Sequence, residues 1–319
     1  MVSPREEARA RLEHRYDARV LEPSPPTVTD APWFADDPVA TDGADAPVVT
    51  PVPGGTVTWD ELAQDDGALA AWCADRWLGA WRRLPALDDP TTFATTRHGL
   101  HALAEHVLAP ARYVANRKIG LRWTRGGFGT PFFGDDRQVR VEGTDLAVTD
   151  GRASTAAAIT TVGDAAAQVD VKPGAPAGVF TSTTPLDPDQ PLDIEPHAAR
   201  LLSDWYGFAS SVLEELRAEA PDWDATRVQL WPEHFDLSID LGDEHVAARG
   251  TFGASPGDEE HEEPYLYVTH WAEVGADPFW NDTTFGGASL RLSDLTDASD
   301  QRAAALAFFR SGRAILESR

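Results

Sequence analysis

A chain of 319 residues with 42% apolar and 25% charged side chains has the composition of a globular protein of about two domains, long enough to bury a substantial core. Its 52 acidic residues against 27 basic give a formal charge of −25, a field that repels polyanions and argues against nucleic-acid binding and against docking on anionic membranes. A single cysteine, Cys73, excludes an intramolecular disulfide and zinc-finger ligand sets, and no apolar run approaches the roughly 18 residues of a membrane span.

Arginine outnumbers lysine 25 to 2, which reads as the codon bias of a GC-rich genome or, secondarily, as halophilic adaptation. The run from Met1 to Arg19 is charged and lacks an apolar stretch, so no signal peptide is expected and the chain is read as cytoplasmic. Residues 21–58 carry eight prolines and neither lysine nor arginine, a composition that cannot pack a core; residues 1–57 are therefore expected to form an extended arm. The folded part opens at Thr58-Trp59-Asp60-Glu61, a capping box leading a helix with Leu62, Leu69, Trp72, Trp77 and Trp81 on its apolar face. Cys73 lies in that stretch and is expected to be a buried, inert thiol.

A second helix is predicted from Thr92 to Asn116, on the spacing of Leu100, Leu103, Val107 and Leu108. Strands follow at 118–123, 138–141, 146–148 and 156–161, with a loop at 124–130 and a short helix at 163–169. The Pro-rich stretch 172–196 separates the halves, taken as 58–190 and 191–319. The second half repeats the order, with a long helix at 197–218, strands at 227–231, 235–241, 246–250 and 265–271, and a closing helix from Asp300 to Leu316. Arg125-Gly-Gly-Phe-Gly-Thr-Pro131 matches Arg249-Gly-Thr-Phe-Gly-Ala-Ser-Pro256 with one insertion. The fold class expected is α+β, in two similar halves of helix, antiparallel strands and helix; the matched segments leave open an internal duplication or coincidence in a Gly-rich chain.

Residues 97–140 hold eight basic side chains against three acidic ones, a local positive zone in an acidic molecule. Glycines in the 125–130 segment would let backbone N–H groups converge on a carboxylate or phosphate, with Arg122 and Arg125 as bidentate partners. The other reading pairs these arginines with the protein's own carboxylates and spends the glycines on a tight hairpin. The motif is neither a P-loop nor a dinucleotide fingerprint. In Trp231-Pro-Glu-His-Phe-Asp236, read as a strand, His234 and Asp236 share a face, where His234 would serve as general base. With His270 from a later strand, the pair would also suit a facial metal site; hydrogen-bonded structural side chains are the plainer alternative. His98, His101 and Glu105 share a helical face, Glu259–Glu263 form an acidic loop, and Trp280-Asn281 with Phe285-Gly-Gly287 have the composition of a binding loop.

Lys118-Ile-Gly-Leu-Arg-Trp-Thr-Arg-Gly-Gly-Phe-Gly-Thr-Pro131, Gln229-Leu-Trp-Pro-Glu-His-Phe-Asp-Leu237 and Gly253-Ala-Ser-Pro-Gly-Asp258 together resemble a family of actinobacterial proteins with no assigned activity. The resemblance runs from about residue 60 onward. It implies a bacterial, cytosolic protein whose motif segments serve one site, and it transfers no catalytic residue. The functional expectation is binding or conversion of a small anionic metabolite between the halves. His234 and Asp236 would be the acid–base pair, and Arg122, Arg125, Gly127, Gly129, Trp231 and Arg249 the ligand contacts. The alternatives are a metal-dependent enzyme built on His234, Asp236 and His270, and a non-catalytic module that holds a protein partner through the Pro-rich arm.

Overall fold

The computed structural model describes residues 84–319, apart from 125, 134–136, 151–152, 221 and 319, together with the short antiparallel pair β1 (Val28–Thr29) and β2 (Val57–Thr58). The rest of the expected arm, the remainder of the 58–61 capping box, the helix behind it and Cys73 lie outside the described residues.

The first helix of the described part of the first half is α1 (Pro90–Leu103), which starts where Asp89 caps the amide of Thr92 and Pro90 occupies the first helical position. Residues Ala104–Leu108 widen into a π-turn before α2 (Ala109–Asn116) continues the same rod. An antiparallel meander follows: β3 (Arg122–Thr124), β4 (Gly127–Gly129), β5 (Arg137–Glu142), β6 (Asp145–Asp150) and β7 (Ala153–Ala158). The short helix α3 (Val162–Val169) closes this half.

In the second half, Glu195 caps two amides ahead of Pro196 and launches the long helix α4 (Pro196–Ala218). A second meander runs through β8 (Gln229–Trp231), β9 (Asp236–Leu241), β10 (Gly250–Ser255), β11 (Tyr265–His270) and β12 (Ala288–Arg291). Helices α5 (Leu292–Asp297) and α6 (Gln301–Glu317) end the chain. Among the described residues from 84 onward the fold is thus α+β, with two five-stranded antiparallel sheets in two similar halves.

The first strands of the two meanders meet. Leu121, just ahead of β3, exchanges two backbone hydrogen bonds with Leu230 in β8, at 2.7 and 2.8 Å. The sheets therefore lie edge to edge, and α4 packs across this seam on β3 and β4 of one sheet and β9 and β10 of the other. Its apolar stripe, including Leu202, Trp205, Tyr206, Ala209 and Leu213, is buried against inward side chains of both, such as Phe128, Leu230 and Leu237. No helix among the described residues is long and apolar enough to cross a membrane.

Several predicted elements shift. The loop expected at 124–130 contains β4, because the chain reverses at Gly126 (φ 91°) and pairs with β3. Gly127 and Gly129 then lie so close to β5 that a Cβ would sit 2.5 Å from the Val141 carbonyl oxygen or 2.7 Å from that of Val139. These glycines serve strand packing. The strand expected at 246–250 is displaced to β10, since Asp243 caps the amide of His245 in a 3₁₀ turn and Ala247 takes φ 57°. The matched Arg-Gly-x-Phe-Gly segments fall on non-equivalent strands, the second of one meander and the third of the other.

Candidate functional site

Trp231–Asp236 is a hairpin turn rather than a strand. Trp231 and Asp236 pair as its ends, the amide of Phe235 donates to the carbonyl of Trp231 at 2.7 Å, and Phe235 takes the left-handed conformation at φ 54°. That turn separates the two residues expected on one face: His234 is exposed and Asp236 is buried. No hydrogen bond joins them, although the His234 charge acts on the Asp236 carboxyl. The turn is pinned from three sides. Tyr206 of α4 donates to the carbonyl of Phe235 at 2.5 Å, and His101 Nε2 of α1 lies 2.8 Å from the carbonyl oxygen of Pro232. The Phe235 ring stacks on His101 and meets Phe128 and Tyr206 edge-on. Both halves thus converge on this hairpin.

Asp236 lies at the end of the second sheet shared with Ser255 and Tyr265, the last residue of β10 and the first of β11. One carboxylate oxygen accepts from the Tyr267 hydroxyl; the other, Oδ1, is buried without a hydrogen-bond partner, as is Oε2 of Glu233. Burial pushes the Asp236 carboxyl up to about 6, with the Tyr267 hydroxyl and the His234 charge only partly opposing it. Tyr267 reaches Asp236 by crossing β10 at Gly253, where a Cβ would overlap its ring. Gly253→Ala is therefore expected to displace the ring, break the Tyr267–Asp236 bond and cost about 1–3 kcal/mol in a denaturant titration. An unchanged midpoint would refute the crossing.

Arg97 of α1 caps this end of the sheet. Its guanidinium is half-buried against Gly257 and donates to the carbonyls of Pro256 and Asp258 at 3.4 and 3.2 Å; it has no carboxylate partner among the described residues. Desolvation pulls it below the ordinary arginine value, with Asp258, Tyr206 and Tyr265 acting in the other direction. One helical turn on, His101 is driven down to about 4 by burial, only partly offset by Glu105. Glu105 accepts the amides of Thr183 and Thr184 at 2.7 and 2.8 Å, so it anchors the Pro-rich connection to the π-turn. His98 is exposed.

Beyond Tyr265, His261 bridges two loops: Nδ1 lies 3.1 Å from Asp258 Oδ1 and Nε2 lies 2.9 Å from Asp282 Oδ2. Burial works against the ionised form of both carboxylates. Hydrogen bonds outweigh it, from Tyr265 and His261 at Asp258 and from Thr284, Ser289 and His261 at Asp282, and hold Asp282 at about 2. Within the expected acidic loop, Glu263 accepts the amide and hydroxyl of Ser293 at 2.8 and 2.9 Å. Asn281 pairs its amide group with the backbone of Ser289, Trp280 packs edge-on to His270, and Phe285 stacks on Tyr265 and lies edge-on to Tyr267.

Of the remaining candidates, Arg249 and His270 lie away from this cluster. Arg122 lies on β3 and Arg125 outside the described residues. Arg249 donates to the Gly242 carbonyl at 2.7 Å and covers the Trp271 ring, at the far end of β9 from Asp236, about 17 Å along the strand. Trp231 is half-buried at the hairpin itself. His270 pairs with Gly250 at that same far end and lies 2.8 Å from the carbonyl oxygen of Ala272, so His234, Asp236 and His270 do not converge on one ion. No group of three or more His, Cys, Asp or Glu among the described residues is placed to hold a metal. Several other basic residues of the 97–140 zone find partners within the chain: Arg112 on the Gly120 carbonyl, Arg137 on Asp150 and Arg140 on Glu142. Sequence reasoning passed over Arg97 as a site residue and over Tyr206 and Tyr267 altogether. The only signal was the count of basic residues in which Arg97 was included. The chain matches no protein-family model, no curated protein and no solved structure.

Proposed function

We propose that the chain binds a small anionic metabolite where α1 meets the end of the second sheet, with Arg97 as the anchor for the anion and Asp236 as the group that exchanges a proton with it. The observation that carries this reading is the half-buried Arg97 guanidinium, which donates to two carbonyl oxygens and has no carboxylate partner among the described residues. Arginine offers five N–H donors in a planar fork, and carboxylates and phosphates match that fork bidentately. A carboxyl held near 6 suits general acid–base work close to neutrality.

The test is a thermal-shift panel of phosphate, nucleotides and small carboxylates on the full chain and on Arg97→Gln. A ligand at about 100 times its dissociation constant contributes roughly 2.7 kcal/mol, a readily visible shift. The shift is expected in the native chain and absent in the variant. An equal shift in both, or none with any anion, overturns the reading.

A further inference from the structure

One strand away from the carbonyl that Arg97 bonds sits an unanswered negative group. Asp236 is only 7% exposed, and its Oδ1 has no partner; Glu233 Oε2, three residues earlier in the same hairpin, is buried and also unpartnered. Buried carboxylate oxygens are ordinarily satisfied, so two such orphans in one turn mark a place where a donor belongs. The separation follows from the register. Asp236 lies beside Ser255 across one strand spacing of about 4.8 Å, Pro256 follows Ser255, and Arg97 bonds the Pro256 carbonyl. The cation and the carboxylate are thus on the order of 10 Å apart, with the Tyr206 and Tyr265 hydroxyls close enough for both charges to act on them.

An acceptor-only anion on Arg97 would leave the orphan oxygen of Asp236 unanswered and add negative charge to a molecule already at −25. A ligand with a cationic donor a few atoms from its anionic group answers Arg97 and Asp236 at once, and the span between them fits both ends of an amino acid. Building on the anion-binding reading above, we infer that the ligand is zwitterionic: an amino-carboxylate whose carboxylate meets Arg97 and whose ammonium meets Asp236.

The experiment measures affinities by calorimetry for matched triplets: leucine with 4-methylpentanoate and isoamylamine, and the corresponding forms of serine and glutamate. The full chain, Arg97→Gln and Asp236→Asn are compared after circular dichroism confirms that each variant is folded. The amino acid of at least one triplet is expected to bind ten-fold or more tighter than either of its truncated forms. Asp236→Asn should erase the advantage of the ammonium while leaving carboxylate affinity unchanged, and Arg97→Gln should do the converse. Carboxylates that bind as tightly as their amino acids, with affinity lost only in Arg97→Gln, overturn the zwitterion and leave the anion reading standing. Absence of binding by every carboxylate-bearing probe overturns the zwitterion. If phosphate and nucleotides also fail on the thermal-shift panel, the anion reading falls with it.

Discussion

Asp236→Asn is expected to stabilise the protein by about 3 kcal/mol above pH 6, and the gain should shrink to little below pH 4. The native carboxyl titrates near 6 when folded and near 3.8 when unfolded, a gap of about two units at roughly 1.36 kcal/mol each. Below 3.8 both states hold the proton and the group is neutral to stability. As pH rises from 4 to 6 the unfolded chain ionises first, so native stability falls across that window and then levels off. Asparagine does not titrate, and its amide oxygen still accepts from Tyr267. Asp258 and Asp282 act in the opposite sense, lending stability that is lost on acidification, but they are common to both proteins and cancel in the difference. Urea midpoints from pH 3.5 to 7.5 measure it; parallel profiles would sink it. A group that costs this much stability and is nonetheless in place is what a binding site requires of its side chains.

Phe235→Ala should cost about 3–5 kcal/mol, the range for a buried phenylalanine lost to a cavity. The ring contacts His101 and Phe128 from the first half and Tyr206 from the second, so no single element can collapse to fill the space. Phe235 also holds φ 54°, a conformation that alanine relieves only slightly, so little is regained from backbone strain. Val114→Ala, at a side chain 70% exposed, serves as the control and should lie within about 0.5 kcal/mol of the native chain. A loss below 1 kcal/mol at Phe235 would mean that the halves are held together elsewhere.

Helices with long apolar stripes were legible because their period needs no partner: α4 was expected at 197–218 and begins one residue earlier. Short strands were harder. β4 is three residues, two of them glycine, and nothing local distinguishes glycines that admit a neighbouring strand from glycines that turn a loop. The Trp231–Asp236 segment alternates like a strand, yet Pro232 and the left-handed Phe235 turn it into a hairpin that separates His234 from Asp236. β12 went unread because four residues after a Gly-rich turn carry no periodicity. The site was half legible. Asp236 was named, but its setting depends on Tyr267 reaching over Gly253 and on Arg97 arriving from another half of the chain, which are facts of register and docking rather than of spacing.

The position of α4 also sets an order of events during synthesis. The first meander is complete at Ala158, but the helix that covers β3 and β4 runs from Pro196 to Ala218, beyond the Pro-rich connection. At ribosomal rates of roughly 5–20 residues per second the apolar face around Phe128 waits several seconds for Tyr206, and longer for Phe235. The nascent first half is therefore an incomplete folding unit that stays adhesive until its successor emerges. Mutations that slow or misplace α4 should be felt first as lost yield and only afterwards as lost stability.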